Sequence, residues 1–473
     1  MLATKQKVSQ AALTFTLGLL VSCSGEENLE QFREWQSVTS KEAKQHLTGI
    51  WRNNVLGHVA VFANDEVTLF HQLDQYCIAD TGVIPPFSIY RHAAAADKTQ
   101  FSYYDYRNHP ALLQNHLEYV RLADLPEPCQ RLSEVESAEL LDVFDTAWLL
   151  FDRYYGFFDE RGVDWAAARA RYRPRAAQLK TDSELFDLLV EMLGELNDSH
   201  VNLTWRDKHF NAGRPRLRTR LRQIWERGDQ QLSEGAFVGN WASSVQRSIV
   251  ELIDPGTYAS GANGALEWGI IGKDMGYVRI NRFSSFTVDP ESRQNQLATF
   301  RGALTRAGDS LQSTRRMIVD VSHNGGGNDA AAMTAVAAFM NDPRDVMEYS
   351  APGSKPRIIR LSPASVFDQQ KIVLVTSEIT ASAAEAFVLM MRALPKVEHV
   401  GSSTRGALSG LLPKPLPRGF RVTISYQTVK DAEGQLYEGI GVPPQRSVEL
   451  FSDQDLFGSY RDAIAKLAAD QSE

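Results

Sequence analysis

Lys371-Ile-Val-Leu-Val-Thr-Ser-Glu-Ile-Thr-Ala-Ser-Ala-Ala-Glu-Ala-Phe-Val-Leu-Met-Met-Arg392 is the stretch on which the fold class turns. Its first six residues form a short apolar run suited to a strand buried on both faces, and its last ten suit a buried helix. Ser382 stands in the turn between them. Two upstream runs repeat the strand pattern, Gly276-Tyr-Val-Arg-Ile280 and Arg316-Met-Ile-Val-Asp-Val321. Helical stretches at about 291–307 and 329–340 separate them. Such alternation predicts crossover units and a largely parallel sheet over 266–450. A closing helix at about 453–469 is expected in 451–473.

Upstream the period changes. Residues 133–210 read as a helical subdomain: Leu141, Phe144, Trp148 and Phe151 make one stripe, and Leu185, Leu188, Leu189, Met192, Leu193 and Leu196 make a stronger one. Thr181 and Glu184 spell a capping box at the start of the second helix. That helix runs out at Asn197-Asp-Ser-His200, where turn-forming residues deliver a histidine to its exit. Residues 47–132 alternate at strand period in His58-Val-Ala-Val-Phe62, Glu66-Val-Thr-Leu-Phe70, Phe101-Ser-Tyr-Tyr104 and Leu117-Glu-Tyr-Val-Arg-Leu122, so a β-rich domain is expected there. Between the two chemistries, 211–265 is rich in Arg and then in Gly and Ser. It carries no clear period and reads as an insertion or a lid.

At 473 residues the chain exceeds one compact core, so several domains are expected. Hydrophobic residues at 43% and charged residues at 23% rule out extensive disorder. A formal charge of −8 gives no reason to expect nucleic acid as a partner. Lys5 and Lys7 precede an apolar run, Ala11 to Val21, that is too short to span a bilayer as a mature helix. It ends Leu20-Val-Ser-Cys23, which resembles the bacterial lipoprotein signal. The resemblance implies a signal peptide over 1–23, lipid on Cys23 and a polar linker over 24–46. Ser24 after the cysteine then implies the periplasmic face of the outer membrane. Cys77 and Cys129 remain, an even pair that suggests a disulfide in an exported chain, with two buried thiols as the alternative.

The chemistry starts from Ser382. A hydroxyl at a sheet edge, with helix N-terminal amides behind it, suits a nucleophile. Ser382 and Glu385 also spell S-x-x-E, so a simple helix cap fits the same residues. A second loop, Asp320-Val-Ser-His-Asn-Gly-Gly-Gly-Asn-Asp329, follows a strand and precedes a helix. Its glycines let backbone approach a ligand and aim N–H groups at an anion. No Gly-Lys-Ser/Thr follows, so it is not a nucleotide loop. Scattered histidines, no H-E-x-x-H and no Cys cluster give no metal signature, and no cofactor is expected.

Taken in order, Val163-Asp-Trp165, Leu196-Asn-Asp-Ser-His200, Gly276-Tyr-Val-Arg-Ile280, the glycine loop, Thr380-Ala-Ser-Ala-Ala-Glu385, Val400-Gly-Ser-Ser-Thr-Arg-Gly406 and Glu438-Gly-Ile-Gly-Val-Pro-Pro444 resemble one serine peptidase family. It comprises the C-terminal processing peptidases, the tricorn protease core and the interphotoreceptor retinoid-binding protein modules. The resemblance covers about 135–450. It implies an α/β core of layered sheet and helices, crotonase-like or ClpP-like, behind the helical subdomain and the β-rich domain. The processing peptidases carry a Lys directly after the T-x-G; here that position is Ala407. The tricorn-like branch uses a His and a Glu instead, and His200 and Glu438 match them. The implied array is Ser382 as nucleophile, His200 as general base and then acid, and Glu438 and Ser199 in support. Oxyanion donors would be the amides of Gly325 or Gly326 and of Ala383. His323 is a rival base inside the glycine loop. The peptide-binding PDZ module of the family is not evident between His200 and Gly276. A serine peptidase acting on peptides or loosened polypeptides is the expectation. An esterase using the same residues, or a non-catalytic binding protein for an apolar ligand or a peptide, are the alternatives.

Overall fold

The computed structural model describes residues 35–38, 47–63, 66–74, 76–80, 91–95, 100–104, 117–130, 138–214, 216–228, 231–288, 296–369 and 371–470. The expected leader with Cys23 lies outside the described residues.

An eight-stranded, wholly antiparallel sheet forms the front of the chain and includes the strands His58–Ala63, Glu66–Leu73, Gln100–Tyr104 and Leu117–Leu122. Cys77 and Cys129 are joined by a disulfide that ties a strand of this sheet to the segment following it. Helices α1 (Leu140–Tyr154), α2 (Trp165–Ala176) and α3 (Asp182–Gly194) come next. The α3 capping box forms as its residues dictate. Thr181 Oγ1 accepts from Glu184 N–H at 3.2 Å, and Glu184 Oε2 accepts from Thr181 N–H at 2.9 Å. The apolar stripe of α3 is buried from Leu185 to Leu193 against α1 and α2. Each large side chain so covered contributes about 1.5–3 kcal/mol.

Residues 211–265, read as an insertion or lid of uncertain structure, hold two helices, α4 (Arg216–Arg227) and α5 (Glu234–Val250), and the first strand of the central sheet. That sheet has seven strands whose spatial order follows the chain: β1 (Ala259–Gly261), β2 (Leu266–Ile271), β3 (Met275–Ile280), β4 (Arg316–Asp320), β5 (Lys371–Thr376), β6 (Val397–Gly401) and β7 (Arg446–Ser447). The expected boundary at 266 therefore cuts through the sheet. Strands β1 to β3 pair antiparallel, and β3 to β7 pair parallel. Helices α6 (Gln296–Leu311), α7 (Asp329–Phe339) and α8 (Ala383–Arg392) lie between successive parallel strands. Their side of the sheet carries the largest apolar core. The opposite face packs on α4, α5 and a C-terminal helix, α9 (Ser459–Ala469), so both faces are covered, as a parallel sheet requires. The separate carboxylate-binding module of the family is not present among the described residues between His200 and Gly276.

A smaller four-stranded sheet carries His200 across the molecule. Asn202–Trp205, which starts two residues after His200, pairs with Phe420–Ser425, and that strand pairs with Leu411–Pro415. Thr423 Oγ1 donates to His200 O at 2.6 Å, fixing the join.

Candidate active site

Strands β4 and β5 end side by side, and the loops beyond them are stitched together. Ala381 N–H donates to Asn324 O at 3.1 Å, Thr380 Oγ1 donates to Val321 O at 2.9 Å, and Ser377 Oγ donates to Ser322 O. The carboxyl end of parallel strands is where α/β sheets present ligand sites. Ser382 stands there at φ 57° and ψ −129°, in a region where L-residues are strained by about 1–3 kcal/mol.

Both parts of the serine's surroundings grow from one neighbouring loop, 404–409. Ser382 N–H points at Ala407 O, 2.9 Å away, and at Glu385 Oε2, 3.1 Å away. The Glu385 carboxylate also accepts from Thr404 Oγ1 at 2.6 Å, Gly406 N–H at 2.6 Å and Ala407 N–H at 2.8 Å. Glu385 is thus more than a helix cap: it clamps the loop onto the serine turn. Burial pushes this carboxyl up, and the donors from Thr404, Ala407, Gly406 and Ser382 pull it back.

Further along the same loop, Leu408 N–H and Ser409 N–H donate to Glu438 Oε2 at 2.8 and 2.9 Å. Arg161 Nη2 donates to Glu438 Oε1 at 2.8 Å. Burial, Asp198 and Glu385 push the Glu438 carboxyl up to about 8, opposed by Arg161 and the Ser409 amide. His200 is buried against the same place, beside the Ser409 backbone. Burial holds its pKa below the usual histidine value, Asp198 and the Ser409 backbone raise it, and Arg161 and Arg405 lower it. A neutral imidazole is the form that can take a hydroxyl proton. Loop 404–409 therefore adjoins Ser382, His200 and Glu438, which lie far apart in sequence, while His200 Nδ1 is buried without a hydrogen-bond partner among the described residues.

The glycines divide their work. Gly326 N–H is spent on Asn324 Oδ1 at 2.8 Å, so it is not free to serve an oxyanion. What Gly326 supplies is the lack of a side chain: a Cβ there would sit 2.7 Å from Ser382 Cβ. Among the described residues, the N–H groups of Gly325 and Ala383 have no protein partner, and Gly325 is exposed. One follows Ser382 directly and the other precedes Gly326, which packs on Ser382, so both are free to donate to a developing negative charge.

Ser199 is drawn elsewhere. Its hydroxyl faces Gly213 and its carbonyl accepts from Asn211 Nδ2 at 2.8 Å, while other donors hold both Glu438 oxygens. The supporting groups that sequence reasoning missed are Arg161, Asp198 and Tyr155. Asp198 Oδ1 accepts from His200 N–H at 2.8 Å, and its Oδ2 accepts from Tyr155 Oη at 3.0 Å. Asp198 lay in plain view beside His200; nothing local marks Arg161. The rival base His323 is half-buried, its ring packed against Trp241, Phe451 and Tyr460 with Nδ1 on Ser322 Oγ at 3.1 Å, and desolvation and Arg279 hold its pKa well below the usual value. It sits in the apolar layer on the α4/α5 side of the sheet.

Residues 274–448 match peptidase family S41, and residues 137–194 match the tricorn protease C1 domain. Tricorn protease homolog 1 of Streptomyces coelicolor is 37% identical over 81 residues, which are 17% of this chain and only 8% of that relative's length. The solved structure of an assigned peptidase from Parabacteroides merdae ATCC 43184 is similar at a TM-score of 0.56 and 22% identity, over 71% of this chain and 98% of the other. A mutant of CPAF is similar at a TM-score of 0.51 and 11% identity, over 72% and 99%. At such identities the likeness shows the fold alone. A segment matching the tricorn protease C1 domain thus leads into one matching peptidase family S41, and the S41 match is the part of the chain that carries the serine turn, the glycine loop and Glu438.

Proposed function

We propose that the chain hydrolyses peptides or loosened polypeptides through an acyl-enzyme on Ser382. The observation that carries this is a strained serine with two unpartnered amides beside it, those of Gly325 and Ala383. His200, held neutral by burial, takes the Ser382 proton as the hydroxyl attacks a scissile carbonyl. The carbonyl oxygen gains charge, and the Gly325 and Ala383 amides donate hydrogen bonds to it. The imidazolium, stabilised by Asp198, returns the proton to the leaving amine. Water then repeats the sequence on the acyl-enzyme and frees the serine. In the same reading the leader makes the mature chain a lipoprotein, held by lipid on Cys23 at the periplasmic face of the outer membrane.

The test uses a fluorophosphonate probe and a peptide library on purified protein. Wild type is labelled once, and Ser382→Ala loses labelling and peptide turnover by roughly 10⁴-fold or more. His200→Ala falls comparably, whereas His323→Phe, an aromatic exchanged among aromatics, stays within about tenfold. Undiminished labelling of Ser382→Ala overturns the assignment.

A further inference from the structure

One guanidinium joins the turn that delivers His200, loop 404–409 and Glu438. Arg161 ends the short helix Phe158–Arg161, and its side chain is 8% exposed. Nη1 donates to Asn197 O at 2.7 Å, in the turn that delivers His200. Nη2 donates to Glu438 Oε1 at 2.8 Å and to Gly406 O at 3.1 Å, and it lies 3.6 Å from Asp198 Oδ2. A planar fork of donors can span three acceptors on separate loops; a single ammonium cannot do so with the same geometry.

We propose that Arg161 is a positioning residue of this peptidase, locking the 197–200 turn and Glu438 onto loop 404–409 and balancing the charge of Asp198 at His200. The inference rests on the reading of Ser382 as nucleophile and His200 as base. The groups facing His200 and Glu438 are Asp198, Arg161, Arg405, Glu385 and Tyr155. Of these, Asp198 favours the imidazolium and Arg161 opposes it. Without the guanidinium the Asp198 charge acts on the ring with less opposition. The imidazolium gains, and less neutral base is present at neutral pH. The loop contacts to Asn197 O, Gly406 O and Glu438 are lost with it, so the cluster also loosens. Misplacement of such groups by an ångström costs on the order of tenfold to hundredfold in rate.

The test measures the rate of acylation by a fluorophosphonate probe against pH in wild type, Arg161→Gln and Arg161→Lys. Arg161→Gln is expected to move the acid limb to higher pH and to lower the plateau by about tenfold to hundredfold. Arg161→Lys keeps the charge and so leaves the limb in place, with a lowered plateau. An unmoved limb and a wild-type plateau in Arg161→Gln overturn the inference while leaving Ser382 and His200 untouched. If the Gln variant does not fold, as judged by circular dichroism, the Lys variant decides: a full plateau overturns the proposal, and a lowered plateau on an unmoved limb upholds it. Wild type without labelling at Ser382 sinks the functional reading and this inference together, which separates the two failures.

Discussion

Gly326 offers the sharpest single perturbation. An alanine Cβ there would meet Ala381 O at 2.7 Å, Ser382 Cβ at 2.7 Å and Ala383 N at 3.1 Å, all backbone or the nucleophile's own stem. Carbon atoms pack best at about 3.5–4.0 Å, so something has to move. The residue also sits at φ 104°, where a side chain is strained by about 1–3 kcal/mol. Overpacking adds about 1–3 kcal/mol, giving roughly 2–6 kcal/mol against a total stability of about 5–15 kcal/mol. Gly325 is the internal control: a Cβ there meets nothing within 4 Å, and alanine should cost below about 0.5 kcal/mol. Both variants keep the backbone N–H groups. The assays are urea unfolding and the rate of fluorophosphonate acylation. Gly326→Ala is expected to lose stability in that range and to acylate about tenfold to hundredfold more slowly, and Gly325→Ala to match wild type in both. A Gly326→Ala protein equal to wild type in stability and rate refutes the packing argument.

Two further outcomes can be measured. His71 is buried and His58 half-buried where the front sheet meets Lys414, with Asp80 and Arg421 facing them and Tyr154 under the Lys414 ammonium. Burial lowers both histidines, Lys414 lowers them further and Asp80 opposes. The packed state therefore prefers neutral rings, and their contribution is full above the unfolded value of 6.5 and is lost as pH falls through the lowered folded values. Burial likewise holds Lys414 down to about 7, which has the same sign at higher pH. The protection of amides in the strands His58–Ala63 and Glu66–Leu73, taken relative to their intrinsic exchange rates, should fall on acidification below about pH 6.5, and an unchanged protection factor counts against the linkage. In a bacterial host, an alkyne fatty acid should label wild type and not Cys23→Ala; label retained in the variant removes the lipid anchor.

What the sequence made legible was local. The α3 capping box, the apolar stripes and the runs that became β3, β4 and β5 each declare themselves within a dozen residues, and the S41 motifs appear in order. Residues 211–265 did not, although Leu217, Leu221 and Ile224 of α4 stand at helical spacing, because the arginines between them dominate the segment's composition. Arg161 was hidden for a different reason. Its partners stand 36, 245 and 277 residues away, and nothing near it in the chain marks a functional arginine. The division between Gly325 and Gly326 also needed coordinates, although Asn324 two residues before Gly326 is the kind of side chain that captures an amide at that spacing.

Loop 404–409 leaves this peptidase with a common latch. The strand of hydrogen bonds that seats the serine turn continues directly into the bonds that seat the acid partner, so neither can be released alone. In the proposed mechanism, lifting this short segment would disconnect base and nucleophile in one movement.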